Sequence, residues 1–483
     1  MDTWFLALAV FLLTAVLILW RPGRIHEAIP ALAGAFALFL LGFVERPDVL
    51  RVMAVVWNAA MTIIATFVMA SVLEGAGFFR WVTDRLIERA EGSGYRLFHL
   101  VLAFSACLTL FLNNDGSILL GTPVVLGLVR RLRLTGRAAL GYLIGACLIA
   151  SASSPPIGVS NMANLEAMSL VHISLTEHLH AVAIPALMGL AFCWWLVYLL
   201  FRRHLPPTLA LTAAAFPESS PFPGPGLPHP HALRPRHHRP GPPPPPPPLP
   251  PPPVELRVRP APPAEPGERN DPVLQWFAVG IVVLVRVGYF AASAAGFPTY
   301  VVAVTGACIL LAANALRRNA VSPREAIRRA PWAVLGFAFG MDLVVFGIKN
   351  AGIISAVAVK VGPAVESSRL AATMLPAGIA TLVSAFLNNH PGLISGSLML
   401  LEMPGLVRPA LYTAYAGVVL GSDLGALVTP VGTLAVLIWF HMLRQHGYEY
   451  SWWDYTRITL LVIPAAFLCA LGGLYVSSML FGF

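Results

Sequence analysis

Two short polar sequences interrupt an otherwise apolar chain: Asn113-Asn114-Asp115-Gly116 and Asn388-Asn389-His390-Pro391. A carboxamide both donates and accepts hydrogen bonds. At bilayer depth a polar group is costly unless paired, so such groups mark sites that hold something. Two further breaks carry hydroxyls and amides. One is Ser151-Ala-Ser153-Ser154-Pro155-Pro156-Ile-Gly158 with Ser160, Asn161 and Asn164 after it; the other is Ser422-Asp423 with Thr429, Pro430 and Thr433 after it. Proline removes a backbone donor and clashes with the preceding turn, so a helix unwinds there and frees groups that a ligand can pair. This set suits hydrogen-bonded recognition of a small polar guest, with Asn113, Asn114, Ser153, Ser160, Asn161, Asn388, Asn389 and Thr429 expected as contacts.

Carboxylates supply the second kind of chemistry. Asp115 and Asp423 sit in the breaks, where a carboxyl group shielded from water can load a proton and release it as access changes. Both are expected to couple proton movement to the guest. Of the other groups in or near apolar runs, Lys349 is the embedded cation and Glu74 lies 275 residues before it. These two are expected to end spans at opposite interfaces, their stems in lipid and their charges in water. Asp342 and Glu402 have no assigned duty. A GxxxxGK[ST] phosphate loop, a GxSxG elbow and an HExxH zinc helix are all missing from the sequence, and no metal set or cofactor is expected.

The elements that must position these residues are membrane helices. Of the 483 residues 57% are hydrophobic and 11% charged, and the mean hydropathy is +0.73. A soluble domain holds about 25% charged residues, so a soluble globular protein is excluded. Apolar runs of about 20 residues recur, the length that crosses a bilayer as helix. The net charge of +9 therefore reads as orientation within the membrane rather than as nucleic-acid binding. Five cysteines, Cys107, Cys147, Cys193, Cys308 and Cys469, all fall in apolar runs without metal spacing and read as buried small hydrophobes.

Prolines divide the chain. Twenty-five of 43 lie between Pro206 and Pro266, a composition that forms a semi-rigid tether and not a helix. Residues 1–205 then form one transmembrane repeat, 206–268 a proline-rich cytoplasmic linker, and 269–483 a second repeat. Phe111-Leu-Asn-Asn114 returns as Phe386-Leu-Asn-Asn389, Gly77 as Gly352, and Pro156-Ile-Gly158 as Pro430-Val-Gly432, at near-constant spacing. In the first half the pattern predicts spans near 3–20, 28–44, 52–73 and 180–201, an amphipathic stretch 78–91, re-entrant hairpin arms 97–112 and 117–129, and a broken span 138–150 and 159–171. Five crossings in each half make the second repeat inverted relative to the first. Basic loops at 21–27, 130–137 and 317–329 place the N-terminus outside and the linker in the cytoplasm. The fold class expected is an all-α polytopic membrane protein of two inverted repeats, each with one re-entrant hairpin and one broken helix.

Val55-Val-Trp-Asn-Ala59, Gly77-Phe-Phe79 with Trp81, Asn114-Asp-Gly116 with Thr122-Pro123, Val159-Ser-Asn161, Asn388-Asn389 with Pro391, and Asp423-Leu-Gly425 with Thr429-Pro430 and Gly432 span the chain outside the linker. Taken together they give a chain that resembles the bacterial arsenite/antimonite efflux permeases of the ion transporter superfamily. The resemblance implies a secondary transporter, not an enzyme, that exports arsenite and antimonite across the bacterial inner membrane in exchange for protons. A soluble arsenite-stimulated ATPase subunit and a second copy of the chain are the protein partners it leaves open. Three positions depart from the family: Ser151 where an aspartate is typical, Ser422 where cysteine is often found, and His390 where methionine is usual. The alternatives are a sodium/proton antiporter or a dicarboxylate carrier of the same superfamily. More remote is an intramembrane aspartyl protease using Asp115 and Asp423, although the chain lacks a GxGD motif.

Overall fold

The computed structural model describes residues 4–20, 26–209, 271–317 and 322–482. The linker expected at 206–268 lies, beyond residue 209, outside the described residues, as does most of the basic loop at 21–27. All secondary structure among the described residues is helical. The first half runs α1 (Trp4–Trp20), α2 (Ala28–Leu40), α3 (Arg46–Gly75), α4 (Phe78–Ala90), α5 (Gly94–Phe111), α6 (Asn114–Arg131), α7 (Gly136–Ala152), α8 (Met162–Val171) and α9 (Leu175–Phe201). The second runs α10 (Pro272–Ala294), α11 (Thr299–Leu316), α12 (Pro323–Arg329), α13 (Trp332–Asn350), α14 (Ile353–Ser367), α15 (Arg369–Leu387), α16 (Asn389–Leu401), α17 (Arg408–Gly425), α18 (Leu434–Gln445) and α19 (Trp452–Phe481). Without the short α12 the two orders match element for element.

Local chemistry explains the boundaries. Ser174 and Ser451 open α9 and α19 with reciprocal capping boxes to Glu177 and Asp454, satisfying the free amides of the first turn. Gly77 and Gly352 hold φ of 84° and 83°, a left-handed conformation that favours glycine, so the repeated glycine marks one corner in both halves. From that corner α4 buries Phe79, Val82, Leu86 and Ala90, a spacing of three and four that places them on one helix face. Among the described residues nine helical segments are long and apolar enough to cross a membrane, and large apolar side chains such as Phe5, Leu13, Leu284, Leu382 and Leu468 point outward as a lipid-facing surface requires; Cys107 and Cys308 are exposed as well, and not buried as their apolar runs suggested. The chain is a multi-pass membrane protein.

Two further details differ from the sequence expectation. The first hairpin arms, α5 and α15, are 18 and 19 residues long and both are among the nine candidate spans. Helix α5 begins three residues earlier than the apolar stretch 97–112 suggested, because the Ser93 cap recruits Gly94-Tyr95-Arg96 into helix. Lys349 sits 3.1 Å from Glu402, which also accepts from Ser355. It is the cation of an ion pair.

Contacts between halves come in swapped pairs. Helix α2 packs on α13 while α11 packs on α3, α8 packs on α16 while α18 packs on α6, and α9 packs directly on α19. Reciprocal contacts of this kind are what a two-fold relation between similar units produces.

Candidate functional site

Four helices begin at one place. Asn113 accepts from the Gly116 amide at 2.6 Å and opens α6; Asn388 accepts from the His390 amide at 3.2 Å and opens α16. Asn161 caps α8 through the Ala163 amide at 3.1 Å, and Thr433 caps α18 through the Val436 amide at 3.1 Å. Short side chains bonded back to the chain stop a helix from extending backwards, which is why these residues stand at the breaks. Asn388 is held at φ 99°, strained for a residue with a Cβ, and the neighbouring Asn389 amide donates to the Gly432 carbonyl at 2.7 Å. These four ends enclose a cavity of about 40 Å³ whose walls include Asn114, Asp115, Asn161, Asn389, His390 and Thr433.

Asp423 joins the two halves behind that cavity. It is 3% exposed, near the end of α17. Its Oδ1 accepts from Asn161 Nδ2 at 3.0 Å and Asn389 Nδ2 at 2.9 Å, and its Oδ2 accepts from Asn164 Nδ2 at 2.9 Å and Ser154 Oγ at 3.3 Å. Three amides and a hydroxyl from the first broken span and the second hairpin thus converge on one carboxylate. Charge-assisted bonds of this kind are roughly twice as strong as neutral ones. Ser422 extends the network, donating to Asn389 Oδ1 at 2.5 Å and lying 2.8 Å from Ser384 Oγ.

A small-residue seam sets this carboxylate in place. Gly417, Gly421 and Gly425 recur every fourth residue on α17 and face Thr373, Ala377 and Thr381, which recur every fourth residue on α15. A Cβ on Gly425 would stand 2.7 Å from the Thr381 Cα, and one on Gly421 2.8 Å from the Ala377 carbonyl carbon. Such backbone proximity is how helices pack tightly where the hydrophobic effect is weak. It delivers Ser422 and Asp423, one and two residues past Gly421, to the hairpin tip.

Of the residues the sequence singled out, the fold brings Asn114, Asp115, Asn161, Asn388 and Asn389 to the cavity wall, with Asp423 bonded to two of them. Asn113 serves as a helix cap. Ser153 donates to the Ile149 carbonyl and Thr429 to the Ala385 carbonyl, both at 2.5 Å. Ser160 is fully buried and its hydroxyl has no hydrogen-bond partner among the described residues. None of these four lines the cavity, and Asn113, Ser153 and Thr429 bond to the backbone at the breaks.

Four buried polar residues were missed or left unassigned by the sequence reading. Glu166 and Asp342 are 0% and 1% exposed and meet His390, whose Nε2 lies 2.7 Å from Asp342 Oδ1 and 3.2 Å from Glu166 Oε2. His178, fully buried, bridges the Tyr415 hydroxyl and the Pro155 carbonyl, each at 2.9 Å. Arg286 on α10 is 8% exposed and donates through Nε to the Phe111 carbonyl at 2.7 Å. A cation at the C-terminal end of α5 is favourably placed against the helix dipole. A lone charge inside an apolar span is the available signal, and both Arg286 (in Val285-Arg-Val287) and Glu166 (in Leu165-Glu-Ala167) carry it.

Arg286 supports the first hairpin tip, and Arg286→Leu strands the Phe111 carbonyl. A buried acceptor left without a partner costs about 1–3 kcal/mol. The variant is expected to unfold in detergent at least about 2 °C below the wild type. Arg286→Gln, which can still donate to that carbonyl, should recover part of the loss, and equal melting of all three proteins would remove the anchoring role.

Comparison with known proteins follows the same outline. The citrate transporter family matches residues 15–413. A Bacillus subtilis relative described as "Putative arsenical pump membrane protein" is 37% identical over 96% of this chain and 98% of its own length. Arsenical pump membrane proteins from Escherichia coli and Yersinia enterocolitica are 26% and 27% identical, each over 96% of both chains.

Proposed function

The chain belongs to the citrate transporter family, together with the arsenical pump membrane proteins, and is therefore a membrane transporter rather than an enzyme; from that premise we propose that it exports arsenite, and antimonite with it, across the inner membrane in exchange for protons. The observation that carries the reading is the near charge balance of the cavity. Four helix N-termini, each equivalent to about half a positive charge, contribute roughly +2, Asp115 on the wall with Asp423 behind it contributes the opposite formal charge, and His390 on the wall is met by its own acids, Glu166 and Asp342. No lysine or arginine is among the lining residues. A citrate trianion would need cationic partners and more room, since drug-sized ligands occupy roughly 300–1,000 Å³. Neutral arsenious acid presents three hydroxyls that donate and accept, as the carboxamides of Asn114, Asn161 and Asn389 do. The swapped contacts between halves support an inverted repeat with the cavity at its centre, and the basic loops support a linker on the cytoplasmic side.

In the cycle proposed, the guest enters from the cytoplasm and is bound by the hairpin and broken-helix ends. Binding draws on amides already held by Asp423, so little side-chain entropy is lost. A proton taken up outside resets the empty carrier. Everted membrane vesicles test this directly. With an inside-acid pH gradient they should accumulate arsenite, and collapsing the gradient should release it. Sodium–proton exchange or dicarboxylate uptake without any arsenite movement would overturn the assignment.

A further inference from the structure

We propose that Glu166, Asp342 and His390 form the proton-carrying centre of this transporter, with Glu166 the group that loads and unloads the proton. The inference rests on the proton-exchange reading above and moves its coupling chemistry to residues drawn from three helices. Glu166 is on α8 in the first half, Asp342 on α13 and His390 on α16 in the second, and one carboxylate oxygen of each acid and a ring nitrogen of His390 all lie within 4.8 Å of one another.

The geometry leaves one member of the trio incomplete. His390 presents a single atom, Nε2, to both carboxylates, and one N–H can donate well to only one of them. The 2.7 Å contact assigns it to Asp342. Neither oxygen of Glu166 receives a hydrogen bond from the described residues, although the side chain is wholly buried. The two acids share one imidazolium, so one negative charge of the pair is uncompensated, which is costly away from water, and a proton is the smallest ligand that removes it.

The charges around the trio define when it is neutral. Across the cavity Asp115 on α6 faces His390, and Glu27 at the head of α2 is close enough to Asp115 to act on it. From α17, Asp423 is bonded to the adjacent Asn389. Of the other charged groups on helices packed against α16, Lys360, Glu366, Arg369 and Arg408 are exposed at the surface, and Lys349 is paired with Glu402. With His390 an imidazolium and both acids ionised the trio has a net charge of −1. A proton from water bonding to Glu166 brings it to zero, and breaking that O–H bond on the other side returns the proton to water. A neutral trio costs least to move relative to lipid.

The centre is also placed to sense the guest. His390 and Asn389 both line the cavity, and Phe337, another wall residue, meets the His390 ring edge-on at 6.0 Å. In the hairpin of the first half the corresponding position is Asp115, so the two related tips carry opposite chemistry, and among the described residues the His390 tip is the one with a buried acid pair beside it.

The test uses the full-length protein in proteoliposomes. Arsenite accumulation under an inside-acid gradient is compared with arsenite equilibrium exchange at equal pH, which requires no net proton transfer. For Glu166→Gln the ratio of accumulation to exchange is expected to fall at least about tenfold, and Glu166→Asp should recover part of it. His390→Gln is expected to shift the pH profile of accumulation by about one unit, guarding against a Glu166 variant that fails to fold. A folded Glu166→Gln with the wild-type ratio and an unmoved profile for His390→Gln would overturn the proposal. So would a transition metal bound stoichiometrically by the wild type and lost from His390→Gln. If the wild type itself moves no arsenite, the failure belongs to the substrate assignment.

Discussion

Asp423→Asn is expected to reduce proton-driven arsenite accumulation by at least about a hundredfold while the protein still reaches the membrane. The carboxylate accepts four hydrogen bonds from Ser154, Asn161, Asn164 and Asn389. An asparagine offers one acceptor oxygen and points two N–H groups at neighbours that are themselves donors. At least one amide from the cluster then loses its partner in a site from which water is excluded, and removing one side of a buried charged network costs about 3–5 kcal/mol. At about 1.4 kcal/mol for each factor of ten, that corresponds to a loss of two orders of magnitude or more. The variant is nearly isosteric, so helix α17 keeps its packing and the effect reads on the site. Everted vesicles with expression matched by immunoblot supply the measurement. Wild-type accumulation by Asp423→Asn would remove this carboxylate from the mechanism.

The second large effect falls on the scaffold. Gly421→Leu is expected to abolish the folded protein, seen as loss of a monodisperse peak in detergent chromatography and loss of a cooperative thermal transition. Even the first carbon of the new side chain meets the Ala377 backbone, with the Ala377 Cα at 2.9 Å, so relief requires α15 and α17 to separate. Overpacking a tight contact costs about 1–3 kcal/mol when side chains can yield. Here the obstruction is main chain, and the cost exceeds that range. Gly472→Leu, on a face where an added Cβ meets nothing within 4 Å, is the control and should fold as the wild type does. A folded, active Gly421→Leu would show that the seam between α15 and α17 does not hold the hairpin to the broken helix.

Much of the candidate site was legible because it consists of local conflicts. An Asn-Asn pair, or a serine and proline cluster, inside an apolar run violates the pattern around it, and the violation is visible within ten residues. Asn114, Asn161, Asn389 and Asp423 were found in that way, and all four are either on the cavity wall or bonded to it. Ser153, Ser160 and Thr429 carry the same signal but are turned toward backbone or buried behind the breaks. Spacing alone cannot separate a hydroxyl that caps a helix from one that faces a cavity, because the side chains are a single torsion apart. The length of the first hairpin arm, α5, was underestimated for a related reason: a serine cap extends a helix into polar residues that hydropathy assigns to a loop.

By itself the sequence determined that this chain lives in lipid, that it repeats, where its helices break, and which amides and acids those breaks expose, since each follows from residues close together along the backbone. Only the tertiary structure decided which acid meets which base. Glu166 and Asp342 are separated by 176 positions yet share His390, and Arg286 reaches back 175 residues to the Phe111 carbonyl. Pairings of buried charges are set by how helices from opposite halves cross, a long-range property with no local trace, and in a water-poor interior those pairings fix which groups are free to take a proton.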